Sequence, residues 1–320
     1  RARQHDGSVP ERGTRARESL LARQDALDGP LRPVVLRAFS RYCRSVRGRS
    51  SFLPLLAGLA LVSGCRHAPT TSAPGDCPSA VATPARLTEA GTTLILGELH
   101  GTREVPAFAA SLVCQAARTT ATVLALEVPY TEQARIDAFL ASNGDAKARA
   151  DLLRGDFWDF PMQDGRRSEA MVSLLDTVRR WRARGAVVSV IAFDTDVPPD
   201  VRDAEMGQRL ATARQKDPQA LLLVVTGGVH ASREPEAAFV PMAVHFGKLT
   251  PPHHIVSLAM KHSGGQAWVC TDNCGPHEAA GTPDPGSPRV ELFERRTRGF
   301  DGAFYVGTIS ASSPAVTVKP

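Results

Sequence analysis

The chain has 320 residues, with 38 Lys and Arg against 33 Asp and Glu and a formal charge of +5. The excess is confined to the first 65 residues, which hold 12 basic and 5 acidic groups, so the rest of the chain carries 26 basic against 28 acidic residues. No basic stripe remains to follow a phosphate backbone, which excludes a nucleic-acid partner.

Residues 1–45 are polar and rich in arginine, and the first methionine is Met162, deep in the chain. Translation is therefore expected to begin at Val46, through a non-AUG start, with residues 1–45 a non-native upstream extension; the alternative is a disordered arm. Residues 46–64 read as an export signal, in which Arg47 and Arg49 precede an apolar run from Phe52 to Val62 and then Ser63 and Gly64. That run is about 11 residues, too short for a bilayer that needs about 20. The small residues directly before Cys65 resemble the cleavage site of bacterial lipoproteins. The resemblance implies a membrane anchor through lipid on Cys65 and, with Arg66 rather than an aspartate next, an outer-membrane location in a two-membrane envelope. Residues 65–90 are then the lipidated cysteine and a flexible Ala/Pro/Thr tether. An envelope compartment permits disulfides. Apart from Cys43 and Cys65, the short CTDNC loop suggests Cys270–Cys274, which leaves Cys77 with Cys114. A zinc site on Cys270, Cys274 and His277 is the competing idea, and it lacks a fourth ligand at ordinary spacing.

From residue 91 apolar runs alternate with amphipathic segments, the signature of βα units. The strands are, in chain order, TTLILGE, TVLALEV, AVVSVIAFD, LLLVVTGG, HIVSLAM and AFYVGTIS, each continuous in hydrophobicity as a sheet covered on both faces requires. Between the first two, Val105, Phe108, Ala109, Leu112, Val113 and Ala116 recur at helical spacing; before the third, Met171, Leu174, Leu175, Val178 and Trp181 do the same. Residues 141–165 interrupt the alternation with Phe157, Trp158 and Phe160, and are expected to form a helical lid over the sheet edge or else a satellite core cluster. The expected fold of residues 91–320 is a single α/β domain, a mostly parallel central sheet flanked by helices with the site at the C-terminal ends of the strands.

Those strand ends carry Glu98 and His100, Glu127 in LEVP, Asp194 in FDTD and His230 in GGVH. Parallel strands bring all five to one edge, and Gly97, Gly101, Gly227 and Gly228 allow tight turns and close approach. Taken singly, each has a plain structural explanation: an Asp after a strand is commonly a helix cap, and a lone His is commonly solvated. Glu98 and His100 stand at i and i+2, on one side of an extended chain, which suits a histidine base oriented by an acid or two ligands of one metal ion. No G-x-S-x-G elbow, H-E-x-x-H helix, P-loop or G-x-G-x-x-G turn occurs. What remains is chemistry by histidine, carboxylate and water, with or without a metal ion.

The two G-x-x-H segments, GELH at Gly97–His100 and GGVH at Gly227–His230, with LEVP between them and RDAEM at Arg202–Met206, resemble a known superfamily. It joins erythromycin-esterase-like proteins, haem-binding ChaN-like lipoproteins and the TIKI/TraB group. The similarity runs over residues 94–234, with FDGAFYVGTISAS a terminal strand beyond it. The esterase-like branch implies a pocket lined by Glu98, His100, Glu127, Arg202 and His230, in which a histidine activates water; Asp194, Glu104 and Asp203 are expected to support them. The TIKI-like branch implies metal-dependent peptide cleavage, with Glu98, His100 and His230 as ligands of a divalent Mn, Co or Zn, and the ChaN-like branch implies haem. The chain lacks much of the helical insertion of macrolide esterases, which speaks against a macrolide substrate.

The expected function is a lipid-anchored cell-envelope hydrolase acting on a small-molecule or peptide ester or amide, with Arg202 stabilising the oxyanion. The alternative is a haem- or metal-binding uptake lipoprotein without turnover, against which the carboxylates speak, since they repel propionates. Substitution Cys65→Ser should block lipidation and move the protein out of the membrane fraction; unchanged membrane association in that variant would remove the anchor from the account.

Overall fold

The structure, a computed structural model, describes residues 77–235, 239–250 and 254–317, so the expected upstream extension, export signal, Cys65 and the start of the tether lie outside the described residues. The elements are β1 Thr93–Glu98, α1 Glu104–Ala116, β2 Thr122–Pro129, α2 Gln133–Ala141, α3 Ala146–Leu152, α4 Glu169–Ala183, β3 Val188–Asp194 and α5 Pro199–Lys216. There follow β4 Leu221–Gly227, α6 Gly228–Ala231, α7 Met242–Leu249, β5 Ile255–Lys261, β6 Gly265–Cys270, β7 Cys274–Ala279, β8 Arg289–Thr297 and β9 Phe300–Tyr305.

The continuous apolar runs are strands whose alternate residues enter two different cores. Leu94, Leu96, Leu124, Leu126, Leu223 and Val225 pack with Leu112, Val113, Leu175 and Val178 of α1 and α4. Ile95, Val123, Ala125, Leu222 and Val224 pack with Met206 and Leu210 of α5 and Phe246 of α7. The period of two is present in the backbone and hidden in the composition, because neither face meets water. The seven strands lie in the order β3-β2-β4-β1-β5-β9-β8, all parallel to their neighbours except β8, which runs antiparallel to β9. The fold is therefore α/β with a mostly parallel sheet, as the sequence led us to expect.

Three strands went unforeseen. The segments GQAWVC and CGPHEA pair as a separate antiparallel hairpin, β6–β7; the first has only the short run Ala267–Cys270 and the second has no apolar run. Strand β8 is an edge with Glu291, Glu294, Arg295 and Arg296 exposed, so its composition reads as loop. At the opposite edge, β3 has its outer backbone groups satisfied by side chains. Gln133 donates through Nε2 to the Val190 carbonyl (3.0 Å) and accepts at Oε1 from the Ala192 amide (2.7 Å), while Arg182 Nη1 donates to the Val188 carbonyl (2.8 Å).

Two expectations change. From Cys77 the supposed tether is docked: Cys77 is bonded to Cys114 of α1, Val81 and Leu87 are buried, and the Val290 amide donates to the Ala82 carbonyl. Two buried apolar side chains and a cross-link offset the ordering of a segment whose composition alone looked like linker. In place of a helical lid over 141–165 there is the short α3, capped by Asp145 at the Ala148 amide, followed by turns. Phe157 and Trp158 enter the main core, and Phe160 is exposed. Both expected disulfides, Cys77–Cys114 and Cys270–Cys274, are formed, which is what an extracytoplasmic compartment allows. Among the described residues no helix is long and apolar enough to cross a membrane.

The Cys77–Cys114 bond spans 37 positions. Loop-closure entropy for a ring of that size is about 4 kcal/mol, so the double substitution Cys77→Ala, Cys114→Ala should lower unfolding free energy by roughly 2–4 kcal/mol in urea titrations.

Candidate functional site

The strand order sets Asp194, Glu127, Gly227 and Glu98 side by side at the carboxyl ends of β3, β2, β4 and β1. Glu98 is level with Gly227 in the β1–β4 register. The β2–β3 register slips between Leu126 and Pro129, so Glu127 sits where the ladder gives way, the kind of irregularity that re-aims a side chain.

His100 turns back on the end of its own strand, with Nδ1 2.9 Å from Glu98 Oε1 and Nε2 3.6 Å from Glu127 Oε2. Glu127 is buried, and each of its oxygens has two donors. Oε2 accepts from Thr226 Oγ1 and the Gly227 amide, both at 2.7 Å; Oε1 accepts from Arg202 Nη2 (2.9 Å) and Arg166 Nη1 (3.2 Å). Asp194, also buried, accepts at Oδ1 from Arg202 Nε (2.8 Å) and the Thr195 amide (2.7 Å), and at Oδ2 from Arg202 Nη2 and Arg166 Nη1, both at 2.8 Å. Arg202 Nη1 lies 3.0 Å from His230 Nε2. A guanidinium only donates, so Nε2 is the acceptor and the His230 proton sits on Nδ1, donated to Asp203 Oδ1 at 2.8 Å. The same Asp203 oxygen takes the Met242 amide at 2.6 Å and fastens the start of α7 to the site.

Charge explains the titration of these groups. Burial alone would pull the His100 imidazole down, but Glu127 and the bonded Glu98 outweigh it and raise its pKa above the ordinary 6.5, with Arg166 working against them. Burial would push the Glu127 carboxyl up; His100, Arg166, His230 and Arg202 outweigh that and hold it well below 4.5. For Arg166 the loss of solvent is likewise overcome, by Glu127, Asp164 and Asp194, and its pKa is raised.

Of the residues singled out in the sequence, Glu98, His100, Glu127, Asp194, Arg202, Asp203 and His230 come together. Glu104 does not: it lies in the first turn of α1, and its carboxylate accepts from the Ser310 amide (2.9 Å) and hydroxyl (2.6 Å). Although Glu104 is only four residues from His100, the helix that begins there carries it away from the strand ends. Arg166 was missed. It comes from the turns before α4, where Asp164 accepts from its Nε (3.0 Å) and Nη2 (2.8 Å) and so aims it at the strand ends. The signal that could have found it was charge balance: several buried carboxylates at one place require cations, and DGRRSE offers two next to an aspartate.

The metal-ligand expectation does not fit this donor set. Of Glu98, His100 and His230, the last has both ring nitrogens bonded, Nε2 to a guanidinium that repels a cation. Among the described residues no group of three or more His, Cys, Asp or Glu is arranged to hold a metal ion. Haem fits no better. His100 Nε2 faces the Glu127 carboxylate, and the acids of the site repel haem propionates. Nor is there a zinc site at Cys270 and Cys274, which are bonded to each other, while His277 Nε2 lies 3.0 Å from the Asn273 carbonyl oxygen.

No protein-family model matches the chain, and no curated protein does. Among solved structures it is similar to a Bacillus cereus protein at 12% identity and TM-score 0.48, over 71% of this chain and 91% of that one. An erythromycin esterase variant in its open conformation matches at 11% and 0.47, over 73% and 79% of the two chains. A succinoglycan biosynthesis protein matches at 10% and 0.49, over 71% and 90%. An erythromycin esterase is thus among the structural neighbours, the group whose motifs the strand ends resemble. At such identities and TM-scores these likenesses carry no argument about chemistry.

The two shifted groups set opposite limbs of a stability profile. His100 holds its proton more tightly folded than unfolded, so its bonds stabilise the fold fully below pH 6.5, and that contribution is lost as pH rises through the higher folded value. Glu127 contributes above pH 4.5 and loses its contribution as pH falls through its depressed value. Urea midpoints against pH should show an alkaline decline absent from His100→Gln. Glu127→Gln should lose the matching acid limb and about 3–5 kcal/mol overall, because two guanidiniums are left underpaired.

Proposed function

We propose that this chain is a cell-envelope hydrolase, anchored in the outer membrane through lipid on Cys65, that cleaves an ester or amide bond in a small molecule or peptide with water activated by His100. The observation that carries this reading is the space beside Gly227. Its backbone (φ −58°, ψ 145°) is open to any residue, so conformation does not require glycine there. A side-chain carbon at Gly227 would stand 3.0 Å from His100 Nε2, 3.5 Å from His230 Cδ2 and 3.7 Å from Glu127 Oε2. That carbon would crowd Nε2, the imidazole nitrogen that Glu98 leaves uncommitted, so glycine at 227 keeps the approach of a water to Nε2 open.

The chemistry follows from those contacts. Glu98 holds the Nδ1 proton, so Nε2 is the basic nitrogen and takes a proton from water. The imidazolium that forms lies between Glu98 and Glu127. The hydroxide oxygen bonds to the carbonyl carbon, and the charge moves to the carbonyl oxygen. Four of the five Arg202 N–H groups are engaged by Asp194, Glu127 and His230, which holds the guanidinium rigid and leaves one for the oxyanion. As the tetrahedral centre collapses, the Nε2 proton passes to the departing oxygen or nitrogen. His230, its Nε2 already taken by Arg202, orients that arginine rather than acting as a base.

An ester and peptide substrate screen tests this. On any substrate turned over, His100→Ala should lower kcat/KM by at least about 10²-fold. The Gly227→Ala chain should fold with its strand ends in place and yet lose turnover to the same degree. Activity should rise with pH through the elevated His100 value, since the base works unprotonated. Full turnover by Gly227→Ala would put the attacking water somewhere else.

A further inference from the structure

The β6–β7 hairpin meets the site without giving it a reacting group. Gly101, one residue after His100, and Gly165, one before Arg166, both take positive φ, 76° and 92°. A side-chain carbon on either would collide with the main chain of Trp268, and one on Gly165 would also stand 2.6 Å from the Gly101 nitrogen. Three backbone segments therefore cross at a separation that glycine alone permits. Trp268 is bonded to both of the others. Its amide donates to the Gly101 carbonyl and its indole Nε1–H to the Gln163 carbonyl, each at 2.9 Å. The hairpin has its own restraints: Cys270–Cys274 closes its tip, and at its base the Gln266 amide donates to the Ile309 carbonyl.

We propose that Trp268 is a positioning residue of the site, which fixes the distance between His100 and the Arg166 guanidinium by gripping the turn after the one with its amide and the turn before the other with its indole. This deepens the hydrolase reading and rests on His100 as its base. The positive charge of Arg166 disfavours the His100 imidazolium, so any retreat of Arg166 shows directly as easier protonation of that ring.

Trp268→Phe in the full chain deletes the indole donor and keeps the amide bond and most of the ring. Imidazole resonances are followed against pH by NMR, with His100 assigned by its disappearance in His100→Gln. The expected result is a His100 midpoint above that of the unsubstituted chain, shifted in the same direction as in Arg166→Gln and no further. Adding Trp268→Phe to Arg166→Gln should shift it no more. An unmoved His100 in a folded Trp268→Phe chain overturns the proposal and makes the indole a packing contact. Shifts that add in the double variant overturn it too, because Trp268 then acts independently of Arg166. Should Trp268→Phe not fold, benzothienylalanine at position 268, with sulfur in place of the indole N–H, is judged by the same outcomes. The titration needs no substrate, so a screen without turnover leaves it readable and the two readings fail separately.

Discussion

Two buried carboxylates share two guanidiniums: Glu127 and Asp194 are each bonded by both Arg166 and Arg202. The quartet ties β2, β3, α5 and the turns before α4 into one block, and everything else at the strand ends is hung from it. Through Glu127 it reaches the Gly227 amide and so β4; through Arg202, His230 and Asp203 it reaches the first amide of α7. A buried pair of this kind adds little net stability, because desolvation consumes most of the attraction, but removing one member strands the others. Its contribution is to specificity of arrangement. With every oxygen occupied, Glu127 has one orientation, and the gap between it and the His100 ring is fixed.

The sheet was legible because a strand buried on both faces must be apolar throughout, and the central strands are. Composition failed where that pressure relaxes: at β8, one face of which meets water, and at β6–β7, which stand outside the sheet. The cluster was legible because hiding Glu98, Glu127 and Asp194 at strand ends is costly enough to need a reason. The cluster read from the motifs was incomplete. It left out Arg166, which neither motif nor periodicity marks and which Asp164 aims from a turn. Long-range charge compensation leaves no local pattern to read.

GELH and GGVH look alike and each places a histidine just past the end of a strand, β1 and β4, yet the two rings do different things. His100 lies between two carboxylates, which favour its charged form; His230 lies between a guanidinium and an aspartate, which fix one neutral tautomer. The motif determines where the imidazole stands, and the neighbours determine what it does.

Strand β3 lies at the rim of the sheet with the Val188 and Val190 carbonyls and the Ala192 amide bonded to Arg182 and Gln133, and the far rim, β8, carries Arg289, Glu291, Glu294, Arg295 and Arg296. A sheet finished in this way offers no template to a foreign strand. The step that seeds cross-β fibres, one extended segment lying down along another, meets bonded backbone groups at one margin and charged side chains at the other.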